Sequence, residues 1–348
     1  MKSKVQVVVA TSILTLLVVL CTLARGAPAQ AARAFIPYAD ARPIFDAVRA
    51  DLLPPDLRDL APAEREARWP AWIVRHDAAI RAVQPATVLA DTSIFIDFGI
   101  EQALDTMKAA GALRAGSVRR VAIVGPGLDS TGKLDGRDFY PEQTIRPFAV
   151  TDSLLRLELA EPDRLEVVAL DISAPVLQHL EGARARARAG TPYTVVLPRN
   201  TGLPWSPELV DYWGRLGNWI GEATRAPAVS PNAGPLDVRA IAVRPPVVVS
   251  VTPVDLNIVT ERLAVQAAPF DLIVATNILL SYDVVDQSLA VANIADMLRA
   301  GGFLLIDNRI VELPGSPLTG AGQADVGYMT QAGTGQTGDR FTWYRRGR

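Results

Sequence analysis

The chain has 348 residues, 49% of them hydrophobic, which suffices for one large domain with additions or two smaller ones and excludes wholesale disorder. Its formal net charge of −2 gives no electrostatic footprint for nucleic acid. One cysteine, Cys21, and two histidines, His76 and His179, exclude an internal disulfide framework and argue against a zinc site, leaving only oxygen ligands for any metal. Arg184, Arg186 and Arg188 read as a solvated helix face.

The N-terminus begins with Lys2 and Lys4, continues through an apolar stretch over 7–24, and reaches the small-residue pattern Ala29-Gln30-Ala31. That order is expected of a secretory signal peptide cleaved after Ala31. The stretch is also long enough to remain as a membrane anchor. Either outcome exports the rest of the chain, since the lysines hold the N-terminus in the cytoplasm. Leu20 before Cys21 argues against a lipoprotein.

Residues 35–116 carry apolar residues at helical spacing in ARPIFDAVRADL and PAWIVRHDAAIRAV, broken by Pro54-Pro55 and Pro62. SIFIDFGIEQALDTMKAAGAL predicts a further helix closing at Gly111. This region, 32–116, is expected to form a helical cap on the domain that follows. From Val118 strands alternate with helices. The expected strands are RRVAIVG, LEVVALD (165–171), PPVVVSVTPVDL (245–256), FDLIVATNILLSY (270–282) and FLLIDN (303–308), with RFTWYRR (340–346) as a late edge strand. Ser173 is expected to cap the helix after LEVVALD, with Pro175 in its first turn. Val285, Leu289, Ala292 and Ala295 share a helical face, and that helix is expected to stop at Gly301-Gly302.

The pattern predicts an α/β fold over 117–348: a doubly wound, mostly parallel Rossmann-like sheet with an N-terminal helical extension. Insertions are expected at 132–146 and 190–240. In the second, Ser206-Pro207 starts a helix whose stripe is Leu209, Trp213, Leu216 and Ile220. Ligands of such sheets sit beyond the carboxyl ends of the strands, where Gly125–Asp129, Asp171, Asp255, Asn277 and Asp307 stand.

VAIVGPGLDSTGKL (121–134) holds most of the functional signal. From Gly127 it has the spacing G-x-x-x-x-G-K of a phosphate loop. Leu134 replaces the hydroxyl that would bind magnesium, Asp129 would repel phosphate, and LDGRDFYPEQ follows where a helix should start. A dinucleotide loop fails as well, because Ser130 replaces the third glycine. A nucleoside without phosphates tolerates Asp129 and suits the strand-end acids. Serine-nucleophile hydrolysis is unsupported, because no G-x-S-x-G elbow appears.

Taken in order, VAIVGPG, VVALDIS, VTPVDLN, FDLIVATNILLSYD and MLRAGGFLLIDN resemble the motifs of class I S-adenosylmethionine-dependent methyltransferases, over roughly 118–308. The last two are most similar to the chemotaxis-receptor methyltransferase branch. The resemblance implies S-adenosylmethionine as cofactor and an unidentified methyl acceptor as partner, with no metal. It also implies that Gly125 and Gly127 admit the methionine part, Asp171 holds the ribose hydroxyls, Asp255 and Leu256 flank the adenine, and Asn277 and Tyr282 line the reaction mouth. Tyr140 and Glu142 are further candidates.

Two departures stand out. Ile123 occupies the place of the family's usual acid, and Asp129 stands where a third glycine is usual. Asp129 either replaces the missing acid or marks a site that has lost its ligand. Export also separates the chain from a cofactor made in the cytoplasm. The competing expectation is therefore an exported, non-catalytic binding or structural protein built on a methyltransferase fold.

Overall fold

The computed structural model describes residues 32–83, 93–129, 139–229, 233–265, 268–307, 309–330 and 338–347. The expected signal segment, Cys21, Ser130, Lys133 and Leu134 lie outside them. Among the described residues no helix is long and apolar enough to cross a membrane.

The chain opens with β1 (Arg33–Phe35), α1 (Tyr38–Ala47) and the single turn α2 (Pro55–Arg58). Then comes α3 (Pro62–Ala82), with Pro62 in its first turn and Glu64 accepting from the Ala61 amide at 3.2 Å. Of the prolines expected to break the region, Pro55 and Pro62 thus start helices, where a missing N–H costs nothing, and Pro54 stands at the N-cap of α2. Next is α4 (Ser93–Ala109), ended by Gly111 at φ +71° with Ala112 N–H donating to Met107 O at 2.9 Å. Such a left-handed glycine closes a helix without a Cβ penalty.

The alternating part begins with β2 (Arg120–Val124), α5 (Arg146–Arg156), β3 (Glu166–Asp171) and α6 (Ala174–Arg188). Ser173 stands at the N-cap of α6 as expected, but its hydroxyl makes no capping bond. The Asp171 carboxylate instead accepts from the Ser173 amide at 2.8 Å.

Next come β4 (Tyr193–Asn200), α7 (Pro207–Arg215), β5 (Gly221–Thr224) and β6 (Leu236–Val243). These strands form a separate antiparallel sheet in the order β4-β6-β5, which corrects the expectation of an insertion built around one helix. Ser206 caps α7 by accepting from Leu209 N–H. The helix ends at Arg215, so of the expected stripe only Leu209 and Trp213 are helical, while Leu216 and Ile220 are buried beyond its end. The Arg199 and Arg239 guanidiniums lie 4.9 and 5.6 Å from the centroid of the Trp213 ring.

The chain then runs through α8 (Pro245–Ser250), β7 (Val251–Asp255), β8 (Glu261–Leu263), β9 (Phe270–Val274), α9 (Val284–Met297), β10 (Leu298–Asp307), β11 (Leu318–Gly327) and β12 (Gly338–Arg346). The main sheet has the order β11-β12-β10-β9-β2-β3-β7. The five strands from β10 to β7 are mutually parallel, and β12 and β11 add antiparallel pairings.

Two expectations are corrected here. α9 stops at Met297, and Gly301-Gly302 lie inside β10, where Gly301 (φ +74°) falls at a register shift between Leu298 and Phe303. A Cβ at Gly302 would sit 3.1 Å from the carbonyl oxygens of Phe270 and Asp271, so the glycines serve a bulge and a close strand approach. RFTWYRR is a strand, but β12 lies between β10 and β11 and leaves the edge to β11.

Both faces of the sheet are covered. Val121, Ile123, Val167, Ala169, Leu272, Val274, Phe303 and Leu305 share one core with α4, α5 and α6. The intervening Ala122, Val168, Leu170, Ile273, Leu304 and Ile306 are buried too. Double burial explains why these strands read as continuous apolar runs.

Candidate functional site

From β2 the chain passes outward to β3 and β7, then returns to β9 on the other side of β2 and continues to β10 and β12. The strand order therefore reverses between β2 and β9, and a crevice opens beyond their carboxyl ends at such a point.

Gly125 and Gly127 follow β2 with φ +63° and +69°, a left-handed turn that side chains resist. Gly125 N–H donates to Leu170 O at 2.8 Å, tying the turn to the end of β3. A Cβ on Gly125 would lie 2.4 Å from Ile278 Cδ1, whereas one on Gly127 meets none of the described residues within 4 Å. So Gly125 is packed against the loop after β9, and Gly127 presents backbone that no described residue covers.

Asp171 ends β3. Burial pushes its carboxyl up, opposed by the amides of Ser173, Gly127 and Ile172 that donate to it, with the Asp255 charge adding to the rise. The glycine turn and the acid are thus bonded to each other. Asp255 ends β7 and stays exposed. Its carboxylate pairs with Arg81 at 2.6 Å and Arg33 at 3.2 Å. The adjacent Leu256 is buried and donates its amide to Asp171 O at 3.0 Å.

On the β9 side, Asn277 is exposed and holds φ +60°, a left-handed conformation that asparagine tolerates better than other side-chain-bearing residues. Its amide donates to Asp307 Oδ1 at 2.8 Å, which holds that conformation in place. Tyr282 is half-buried. Burial, then the charges of Asp286 and Asp171, push its phenol up to about 12, so it is a neutral donor at physiological pH.

Beneath the glycine turn sits a polar core in which Arg146 and Asp97, which the sequence reading missed, join Asp129 and Asp307, which it named. Arg146, the first residue of α5, reaches Gly125 O at 3.3 Å and Asp97 Oδ1 at 3.4 Å. Asp97 lies on α4, fully buried, and its Oδ2 has no partner among the described residues. Burial pushes it up to about 7, against the pull of Arg146 and aided by the Asp129 charge. Asp129 is buried and bridges backbone-to-backbone with Gln143. Asp307 is also raised by burial, with Asn277 and Arg146 opposing. This excess of carboxylates suits a cationic ligand and disfavours phosphate.

Ile123 is wholly buried in the core. Tyr140 is likewise buried, packed with Val196 and Ala240, while Glu142 is exposed.

The C-terminal half of α3 joins both banks of the crevice. Asp77 Oδ1 accepts from Asn257 at 2.9 Å and Thr260 at 2.7 Å, and Arg81 pairs with Asp255 and Glu261. The residue before Asp77, His76, meets Asp286 on α9. No sequence signal marks these pairings, since each joins residues far apart in the chain.

No protein-family profile and no curated protein matches the chain. Among solved structures it is similar to the glycopeptide N-methyltransferase MtfA, with 12% identity over 78% of this chain and 97% of that one and a TM-score of 0.35. It is also similar to the N-methyltransferase NodS from Bradyrhizobium japonicum WM9, with 13% identity, 72% and 97% coverage and a TM-score of 0.33. The magnesium protoporphyrin IX methyltransferase from Synechocystis PCC 6803 shows 10% identity, 80% and 94% coverage and a TM-score of 0.33.

Proposed function

We propose that this protein binds S-adenosylmethionine in the crevice beyond β2 and β3 and transfers its methyl group to an acceptor molecule. The observation that carries the reading is the Gly125–Gly127 turn bonded to the Asp171 carboxylate at the reversal of strand order. Gly127 offers open backbone for the methionine part. A carboxylate has about four acceptor sites, so Asp171 can keep its backbone donors and still take ribose hydroxyls. Leu256 gives the apolar flank for the adenine. The acidic surroundings of Arg146 favour a sulfonium and its ammonium over a nucleotide phosphate.

When bound, the cofactor supplies a methyl group already activated for displacement. The chain's own residues orient and exclude water. Asn277 and Tyr282 line the mouth, and the reach of α3 across the crevice narrows the access of solvent. Alignment of this kind carries much of the rate in such a transfer.

The test is calorimetric titration of the purified protein with S-adenosylhomocysteine. Binding in the micromolar range is expected, and Asp171→Ala should weaken it roughly tenfold or more, the worth of hydrogen bonds to a charged group. No binding at millimolar ligand refutes the reading; an unchanged affinity in the variant refutes the ribose assignment. We further propose that the chain is exported or anchored through residues 7–24, to be tested by a compartment-sensitive reporter fused to the C-terminus.

A further inference from the structure

His76 and Asp286 are separated by 210 residues, yet His76 Nε2 lies 2.7 Å from Asp286 Oδ1. The ring is held from several sides. It stacks on Trp72, with centroids 4.5 Å apart, and Trp72 stacks on Trp69 at 5.0 Å. The Trp69 indole N–H in turn donates to Ile36 O at 2.8 Å. Asp286 sits in the first turn of α9, where its amide and that of Val285 donate to the capping carboxylate of Asp283. Both partners are therefore fixed by their own supports, and the imidazole keeps 24% of its side-chain surface open.

The pair borders the crevice. Asp286 stands in the first turn of α9, four residues after Tyr282 and on the helix that the chain enters beyond the carboxyl end of β9, so the pair it forms with His76 sits at that end of the sheet. α3 brings His76 there in the same stretch that carries Asp77 and Arg81 to the loop after β7.

We infer that His76, oriented by Asp286, takes the proton released by the methyl acceptor, and that the acceptor atom is a hydroxyl oxygen or an amine nitrogen. This rests on the methyltransferase reading above. In the transfer, the acceptor's lone pair forms the new bond to the methyl carbon and the carbon–sulfur bond breaks with its pair moving to sulfur. The acceptor's proton passes to His76 Nδ1, since Nε2 faces Asp286. The resulting imidazolium is balanced by Asp286 and returns its proton to water. A carboxylate acceptor has no proton to shed and would need no such group. His76 is the catalytic residue of this step and Asp286 its positioning residue, as in any acid–histidine pair that fixes a tautomer.

The two histidines make the experiment direct. Full-length protein labelled with 15N-histidine gives two ring systems, and His76→Gln identifies one. His179, bonded to Tyr193 Oη at 2.8 Å on α6, is the internal reference. At neutral pH, His76 should carry its proton on Nε2 and leave Nδ1 bare, and Asp286→Asn should abolish that preference. Saturating S-adenosylhomocysteine should move the His76 signals and leave those of His179 in place.

With S-adenosylmethionine, catechol or benzylamine should be methylated in preference to benzoate. His76→Gln should lower that turnover about 100-fold or more while S-adenosylhomocysteine affinity stays within about twofold, the range for loss of a general base. A bound ligand that leaves His76 unmoved, turnover unchanged in His76→Gln, or methylation confined to benzoate would overturn the proposal. Failure of S-adenosylhomocysteine to bind at all would instead overturn the reading on which it rests.

Discussion

Gly125→Ala isolates the two demands made on the glycine turn. The backbone there holds φ +63°, and the new Cβ would lie 2.4 Å from Ile278 Cδ1 and 2.6 Å from Cγ1. A left-handed alanine costs about 1–2 kcal/mol, and overpacking adds about 1–3 kcal/mol, so the variant should lose roughly 2–5 kcal/mol. Ile278→Ala removes the two overlapping atoms but leaves the dihedral strain. In the double variant the overpacking part should be recovered, giving a favourable coupling of about 1–3 kcal/mol. Urea unfolding of the four proteins measures this, read from midpoints at unchanged slope. A Gly125→Ala loss below about 1 kcal/mol would refute the strain argument. Additivity within about 0.5 kcal/mol would show that Ile278 is not the obstacle.

Asp97 should make stability depend on pH. Its carboxyl is raised by burial from 3.8 to about 7, so the folded state keeps a proton that the unfolded chain gives up. Stability is then greatest below about pH 4 and falls as pH rises to 7, by up to about 4 kcal/mol at 1.4 kcal/mol per unit. Asp97→Asn should flatten that slope in denaturant titrations at pH 4.5 and 8; equal slopes would sink the assignment. Glu101, wholly buried on α4, accepts from Ser153, Arg156 and Arg215. Glu101→Ala strands two guanidiniums and should cost about 3–5 kcal/mol by thermal or chemical unfolding, against less than about 1 kcal/mol if the cluster were solvated.

The alternation of strands and helices was legible because strands buried on both faces become unbroken apolar runs. The glycine turn and Asp171 were legible for a related reason: each follows directly from the strand that places it. The inserted sheet was not, although YTVVLPRN and LDVRAIAV carry strand-forming residues; Pro198 and the glycines around them masked the signal. Gly301-Gly302 misled because a glycine pair after a helix ends it as readily as it bulges a strand. Asp255 stands where expected, and its engagement by Arg81 and Arg33 depends on contacts from elements nearly two hundred residues away, as the 174-residue separation of Arg81 from Asp255 shows. His76, Asp97 and Arg146 were silent for the same reason, since no periodicity records which distant helices will face each other.

The inserted sheet has a consequence of another kind. Tyr193, its first residue, is the cross-strand neighbour of Val243, its last. The segment therefore leaves and rejoins the main body through a single doorway, which makes it an exchangeable cassette in the sense that permits domain insertion. Its inner side is not optional, because Leu209, Tyr212, Ile241 and Val243 belong to the same core as the central strands. A segment exchanged at that doorway would have to supply an equivalent apolar inner side, and a chain that merely lost it would expose that part of its core to water.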